Sequence, residues 1–323
     1  TVSGTSISFG TPVVFESANT TDGIPAFDST SNKIVIPYRD GGNSTYGTAI
    51  VGTVSGTSIS FGTAAVFNSA ASNQISSCYD PDINKTVIVY SNNNQYGTAR
   101  VGTISGTDIS FGSESVFESA QVGYVSTVYD TNSNKVVIAY SDEGNSAYGT
   151  AIVGTVSGTN ISFGSAVVFE AADSNYIGSA FDSSLNKVVI TYADAGNSSY
   201  GTAIVGTVSG TSISFGSAVV FEEANSSYEF PVYDENAKKV VVFYRDSGNS
   251  SYGTTAAGTV SGTGISFSTP TVFNAGGTYY IGAAYDSTNK KIVTSYYDGG
   301  NSNYGTAIVS QTAFDNTVRG EVA

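Results

Sequence analysis

The stretch Gly47–Gly62, GTAIVGTVSGTSISFG, recurs letter for letter at Gly201–Gly216 and in edited form elsewhere. Its Ser-Gly-Thr core occurs six times in register, starting at Ser3, Ser55, Ser105, Ser157, Ser209 and Ser261, with spacings of 52, 50, 52, 52 and 52 residues. A unit of about fifty residues without helical periodicity restricts the chain to a solenoid, a propeller or an array of small domains.

One unit reads as four short strands. Gly23–Asp28 is apolar and ends in Asp, and Ser29–Asn32 carries turn chemistry. Lys33–Tyr38 is rich in β-branched residues, and Asp40–Ser44 is a loop. Tyr46–Val54 is the third strand, Ser55–Thr57 a tight turn, and Ser58–Phe67 the fourth, with Ile59 and Phe61 alternating against Ser58 and Ser60. Four antiparallel strands joined by short connections make one propeller blade. First strands end at Phe27-Asp28, Tyr79-Asp80, Tyr129-Asp130, Phe181-Asp182, Tyr233-Asp234 and Tyr285-Asp286, which predicts six blades. The short second repeat has lost two residues in its Ser91–Gln95 loop, where deletion is cheap.

The predicted fold is therefore an all-β, six-bladed β-propeller spanning residues 1–309. Residues 310–323 form a non-repeat tail or connector. The N-terminus supplies a fourth strand, Ser6–Phe15, before any first strand, and the C-terminal side supplies three strands from Tyr279 to Val309. Three plus one complete the sixth blade and close the ring, protecting its edges. The chain begins inside a repeat and without Met, which reads as processing or as a segment of a longer polypeptide. No signal peptide or bilayer-length apolar run is visible.

Composition narrows the chemistry. A net charge of −14 makes nucleic acid and anionic membranes poor partners. With no His, the commonest general base and metal ligand is missing. Cys78, alone in an apolar strand, reads as a buried free thiol. The Asp-x-Gly-Asn-Ser loops at Asp40, Asp142, Asp194, Asp246 and Asp298 lack the pattern of a calcium loop. They read as turns, with weak peripheral calcium binding as the alternative; no other cofactor and no dedicated metal site is expected. Asp28 and Lys33, with their five counterparts, bracket a turn as a clamp or exposed ion pair. Sequons such as those at Asn197 and Asn249 are expected by chance in so polar a chain.

Propellers usually bind at one mouth of the channel, where fourth-to-first and second-to-third loops lie. The fourth-to-first loops vary most among the repeats. Five residues before the aromatic that ends each first strand stand Asp22, Gln74, Tyr124, Tyr176, Tyr228 and Tyr280. Such a circle suits stacking on sugars or contact with a protein; its alternative is packing between adjacent blades. A propeller glycosidase would use convergent carboxylates, for which Asp22, Asp173, Glu223 and Glu229 are in suitable loops. The Trp-containing box of sialidases is impossible without Trp, and Arg39, Arg100 and Arg245 are the only arginines in the repeats. In the tail, Phe314, Val318 and Arg319 are candidates for contact with a neighbouring subunit.

The units SGTSISFG, NKVVI and YGTAIVGTV, with the Phe/Tyr-Asp strand end, resemble repeats of large virion or surface proteins of marine bacteriophages and bacteria. The resemblance covers residues 1–309 and implies display on a virion or an extracellular surface, with an adhesive or particle-decorating role. It carries no catalytic residue across. The expected function is non-catalytic binding of a glycan or protein. The alternatives are a structural filament or particle subunit and a glycan-cleaving enzyme.

Overall fold

The computed structural model describes residues 1–312, and Phe314, Val318 and Arg319 lie outside them. The six repeats form six antiparallel sheets arranged as the blades of a propeller. In blade three, residues 122–130 pair with Lys135–Asp142, which pairs with Tyr148–Ser157, which in turn pairs with Asn160–Phe163. The fourth strand is longer than its alternating stretch suggests and is broken once. Asn160–Phe163 pairs with the outer half of the third strand, and after a short gap Val167 resumes against the inner half, Ala151 to Tyr148. The same strand, Val167–Asp182, then crosses over to become the first strand of blade four. One continuous segment thus belongs to two blades, which fixes their spacing.

The second strands of blades two to five are buried on both faces, as their Val/Ile runs require: Val87 to Tyr90 and Val136 to Tyr140 are fully enclosed. In blade six, at the ring's end, Ser295 and Tyr297 are exposed. The core lies between the blades. Val189, Ala203 and Val205 of blade four pack on Val240, Val242, Ala256 and Ile265 of blade five, and comparable apolar clusters join blades one and two, two and three, three and four, and five and six. A buried tyrosine ends each second-strand core. Tyr192 donates to Glu170 Oε2 at 3.1 Å and Tyr244 to Glu222 Oε2 at 2.8 Å. Blades two and six have Asn68 and Asn274 where the others have this Glu, and in blade two Tyr90 turns to Glu114 instead, at 3.1 Å. A buried hydroxyl needs a partner, and the fold finds another. Cys78 is buried and free, its thiol pushed up by burial and by Asp80.

The Asp-to-Lys turn works differently from an ion pair. Asp28 is buried and its Oδ1 accepts the Thr30 and Ser31 N–H groups, each at 2.9 Å. Lys33 Nζ instead donates to Thr53 Oγ1 of the third strand at 2.7 Å, and Lys85 and Lys187 do the same to Thr103 and Thr207. The acid is a backbone cap, a local bond that side-chain oxygens of Asp make readily.

The N-terminal segment docks where the closing strand belongs. Phe15 lies 5.3 Å from Tyr38 and 5.7 Å from Phe61, matching Phe67 against Tyr90 and Phe111. Gly10 abuts the Thr57 carbonyl as Gly62 abuts that of Thr107; a Cβ would stand 1.7 and 2.0 Å from those oxygens. On the side of blade six, the closing ladder does not form among the described residues. Ser6 and Ile7 pair with Ser3 and Val2 in the register that Ser58 and Ile59 take with Ser55 and Val54. Val2 and Thr312 occupy equivalent positions of the repeat, so both can pair with Ile7, and the two-residue turn closes at far lower entropy cost. Phe9 still reaches blade six, beside Tyr297, Gly305 and Thr306. But a Cβ on Gly305 would meet nothing within 4 Å, whereas one on Gly47 or Gly253 would touch Phe67 or Phe273. The ring therefore has a seam between blade six and the strand that completes it.

Candidate functional site

The first strands line the axis. Ser126 Oγ meets Ser179 Oγ at 2.8 Å across blades three and four, and Ser77 Oγ donates to the Ile24 carbonyl at 2.6 Å across blades two and one. Near the end of the axis where the second-to-third loops lie, each first strand is bulged. In blade three the pairing jumps between Gly123 and Ser126, in blade four between Asn175 and Gly178, in blade five between Ser227 and Phe230, and in blade six between Tyr279 and Gly282. A bulge bends the strand and re-aims a side chain.

The six positions singled out in the sequence sit in these irregularities, and all six have left-handed backbone. Their φ values are 55° at Asp22, 53° at Gln74, 48° at Tyr124, 49° at Tyr176, 58° at Tyr228 and 50° at Tyr280. Left-handed backbone is uncommon for any non-glycine residue and a genuine outlier for a bulky side chain. Here it recurs in every blade. The four tyrosines form an unbroken arc: ring centroids are 5.2 Å apart for Tyr124–Tyr176, 5.1 Å for Tyr176–Tyr228 and 5.3 Å for Tyr228–Tyr280. Recognition and packing are thus not exclusive, because each ring touches the ring of a neighbouring blade and still borders solvent. Tyr280, at the seam, is 74% exposed. Desolvation raises the phenols of Tyr124 and Tyr228, reinforced by the neighbouring phenols.

Charge is unevenly spread around this mouth. Asp173 and Glu143 lie near Tyr124 and raise its phenol further, whereas Arg245 near Tyr228 acts in the opposite sense. Desolvation raises the Asp22 carboxyl, partly offset by Arg39 and the Gln74 backbone N–H.

The carboxylates proposed for catalysis are dispersed. Asp22 belongs to blade one, and Asp173 and Glu223 are exposed on the segments entering blades four and five. Glu229 is withdrawn from the mouth altogether: it is 5% exposed and stands where other blades place Ile75, Val125, Ile177 and Ile281. Successive residues of a strand face opposite ways, so the residue after Tyr228 enters the core. Burial raises its carboxyl to about 8, although Ser226 Oγ donates to its Oε1, and Oε2 has no partner. Among the described residues no three acidic or thiol groups come together as a metal site. The Asp40 and Asp298 loops are held as turns, Oδ1 accepting the Gly42 and Gly300 N–H groups at 2.9 and 3.0 Å.

No family model and no curated protein sequence matches the chain. Solved structures do match, lectins among them. BP39L lectin from Burkholderia pseudomallei aligns over 91% of this chain and 83% of its own, with TM-score 0.64 and 12% identity. AofleA from Arthrobotrys oligospora aligns over 90% and 82%, with TM-score 0.56 and 7% identity. Aleuria aurantia lectin, solved in complex with Fucalpha1-6GlcNAc, aligns over 91% and 97%, with TM-score 0.52 and 12% identity. The chain is a β-propeller with the fold of these lectins.

Proposed function

We propose that this propeller is a non-catalytic glycan-binding protein that holds sugar rings at the channel mouth on the tyrosine arc. The observation that carries this is the six-fold recurrence of left-handed φ at Asp22, Gln74, Tyr124, Tyr176, Tyr228 and Tyr280. Strain of this kind costs about 1–3 kcal/mol per residue and persists mainly where a function uses it. Here the bulge brings four phenols to one rim, giving flat apolar faces with hydroxyls at their edges, a combination suited to pyranose rings. The lectin folds that match, one of them with a fucosylated disaccharide bound, support a saccharide over a protein as partner. Display on a virion or an extracellular surface, as an adhesin or decoration module, accords with the repeat resemblance and the acidic composition.

The test is a glycan array probed with the wild-type chain and with a Tyr124→Ala/Tyr228→Ala variant. Saccharide binding that the variant loses supports the reading. An array on which the folded wild type binds nothing overturns it.

A further inference from the structure

One ring of positions beside the tyrosine arc has no role so far. The residue after each buried second-strand tyrosine is Arg39, Ser91, Ser141, Ala193, Arg245 or Tyr297. Each pairs with the first strand beside the bulge: Arg39 with Thr21, Ser91 with Asn73, Ser141 with Gly123, Ala193 with Asn175, Arg245 with Ser227 and Tyr297 with Tyr279. Blades two to four carry small side chains there. Blades five, six and one, consecutive around the ring, carry Arg, Tyr and Arg. The mouth therefore has two unlike halves.

Arg245 is the focus of the second half. Its Cζ lies 4.8 Å from the centroid of the Tyr279 ring, and its Nη2 donates to Ser251 Oγ at 2.7 Å. Its Nε is buried without an acceptor. Stacking and the Ser251 bond hold the guanidinium in place without neutralising it, in a protein of net charge −14. Arg39 differs, because the Asp22 carboxylate lies near it. Around Arg245 the phenols gather: Tyr279 is 5.7 Å from Tyr297 and 6.1 Å from Tyr228, and Tyr280 is 6.4 Å from Tyr297. Tyr280 and Tyr297 are 74% and 37% exposed, so open ring surface lies beside the cation.

We infer that the sector formed by Arg245, Tyr228, Tyr279, Tyr280 and Tyr297 is a subsite for an anionic sugar, a pyranose bearing a carboxylate or a sulfate ester. The sugar ring stacks on the exposed phenols and the anion meets the guanidinium, whose planar donors suit oxyanions. Across the mouth, Asp173 and Glu143 near Tyr124 disfavour an anion, so the acidic residue of a mixed glycan is directed to blades five and six. This inference rests on the glycan-binding reading and specifies which glycans that site selects.

The experiment is titration calorimetry of the full chain with trigalacturonic acid, the neutral galactose trisaccharide and a sulfated galactose trisaccharide. At least one anionic probe is expected to bind about tenfold or more tightly than the neutral one, the scale of one charge-assisted hydrogen bond. The carboxylated and sulfated arms show which anion is taken. Arg245→Gln should abolish the preference, so that anionic and neutral probes bind the variant with the same affinity, and added NaCl should erode it in the wild type. Tyr280→Ala, at a position too exposed to matter for folding, should weaken all saccharides of this sector and provides a second variant if Arg245→Gln melts early. Equal affinity for neutral and anionic probes, or a preference that survives Arg245→Gln, overturns the inference while the glycan-binding reading stands. Absence of any saccharide binding overturns both.

Discussion

The phenol ring of Tyr176 lies 5.1 Å from that of Tyr228, although 52 residues of chain separate them and each sits at a backbone φ that tyrosine rarely adopts. The contact is made by the ring of blades, which brings equivalent first-strand positions side by side. The strain is made by the bulge. Together they hold an aromatic rim that neither strand would form alone.

Tyr176→Gly should change stability by less than about 1 kcal/mol, because relief of left-handed strain offsets the lost ring contacts. Tyr176→Ala loses the contacts and keeps the strain, so it should melt below the Gly variant, the reverse of the usual order in strands. Urea denaturation of both variants checks this; an Ala variant more stable than Gly would show that the site carries no such strain.

Buried Glu229 predicts a pH dependence of stability. Its carboxyl is raised to about 8 in the folded chain from an ordinary 4.5, so the unfolded state loses its proton first as pH rises. Stability is then highest below about pH 4.5, declines through pH 8 and is flat above, by an amount on the order of 3–5 kcal/mol. Glu229→Ile, restoring the side chain of blades two, four and six, should remove most of that decline and stabilise the protein at pH 8. Chemical denaturation at pH 5, 7 and 9 measures it. An unaltered pH profile in the variant would locate the titration elsewhere.

The seam predicts two different outcomes of trimming. Deleting residues 1–15 removes Phe15 from its place against Tyr38 and Phe61 and should cost about 3–5 kcal/mol, as loss of a large core side chain does. Deleting only residues 1–3 removes Val2 and Ser3, which compete for Ile7, and should leave the melting temperature unchanged or higher. A chain that melts normally without residues 1–15 would mean that the closing strand does not support the ring.

Calcium should have little effect. The Asp40 and Asp298 oxygens already accept backbone N–H groups, and no group of three acidic ligands stands near them among the described residues. Differential scanning calorimetry with millimolar calcium or with chelator is expected to give one melting temperature. An upward shift with calcium would assign these loops a metal.

Much of this is legible because the chain carries its own internal alignment. Six copies of one blade define the strand order, and counting back from Phe27, Tyr79 and their counterparts finds the positions that meet at the mouth. Three features are not legible. Left-handed backbone at Tyr124 and its equivalents has no sequence mark, since Gly or Asn is the usual signal and Tyr the opposite of one. The role of Lys33 is hidden because Thr53, its partner, is distant in sequence and Asp28 is close. The grouping of Arg39 and Arg245 is obscured because they lie on non-adjacent blades; only ring order places Tyr297 between them. Glu229 is open to a better reading: four of its five counterparts are Ile or Val, which marks the position as core and not mouth.

The most direct test of the tyrosine rim is quantitative binding of an array-identified saccharide to the wild type and to Tyr124→Ala/Tyr228→Ala, each with a thermal melt at the same pH. The double variant is predicted to stay folded and to lose at least about thirtyfold in affinity, the equivalent of two stacking contacts at about 1 kcal/mol each. Undiminished affinity in a folded variant would contradict a sugar-binding role and return these rings to packing between blades.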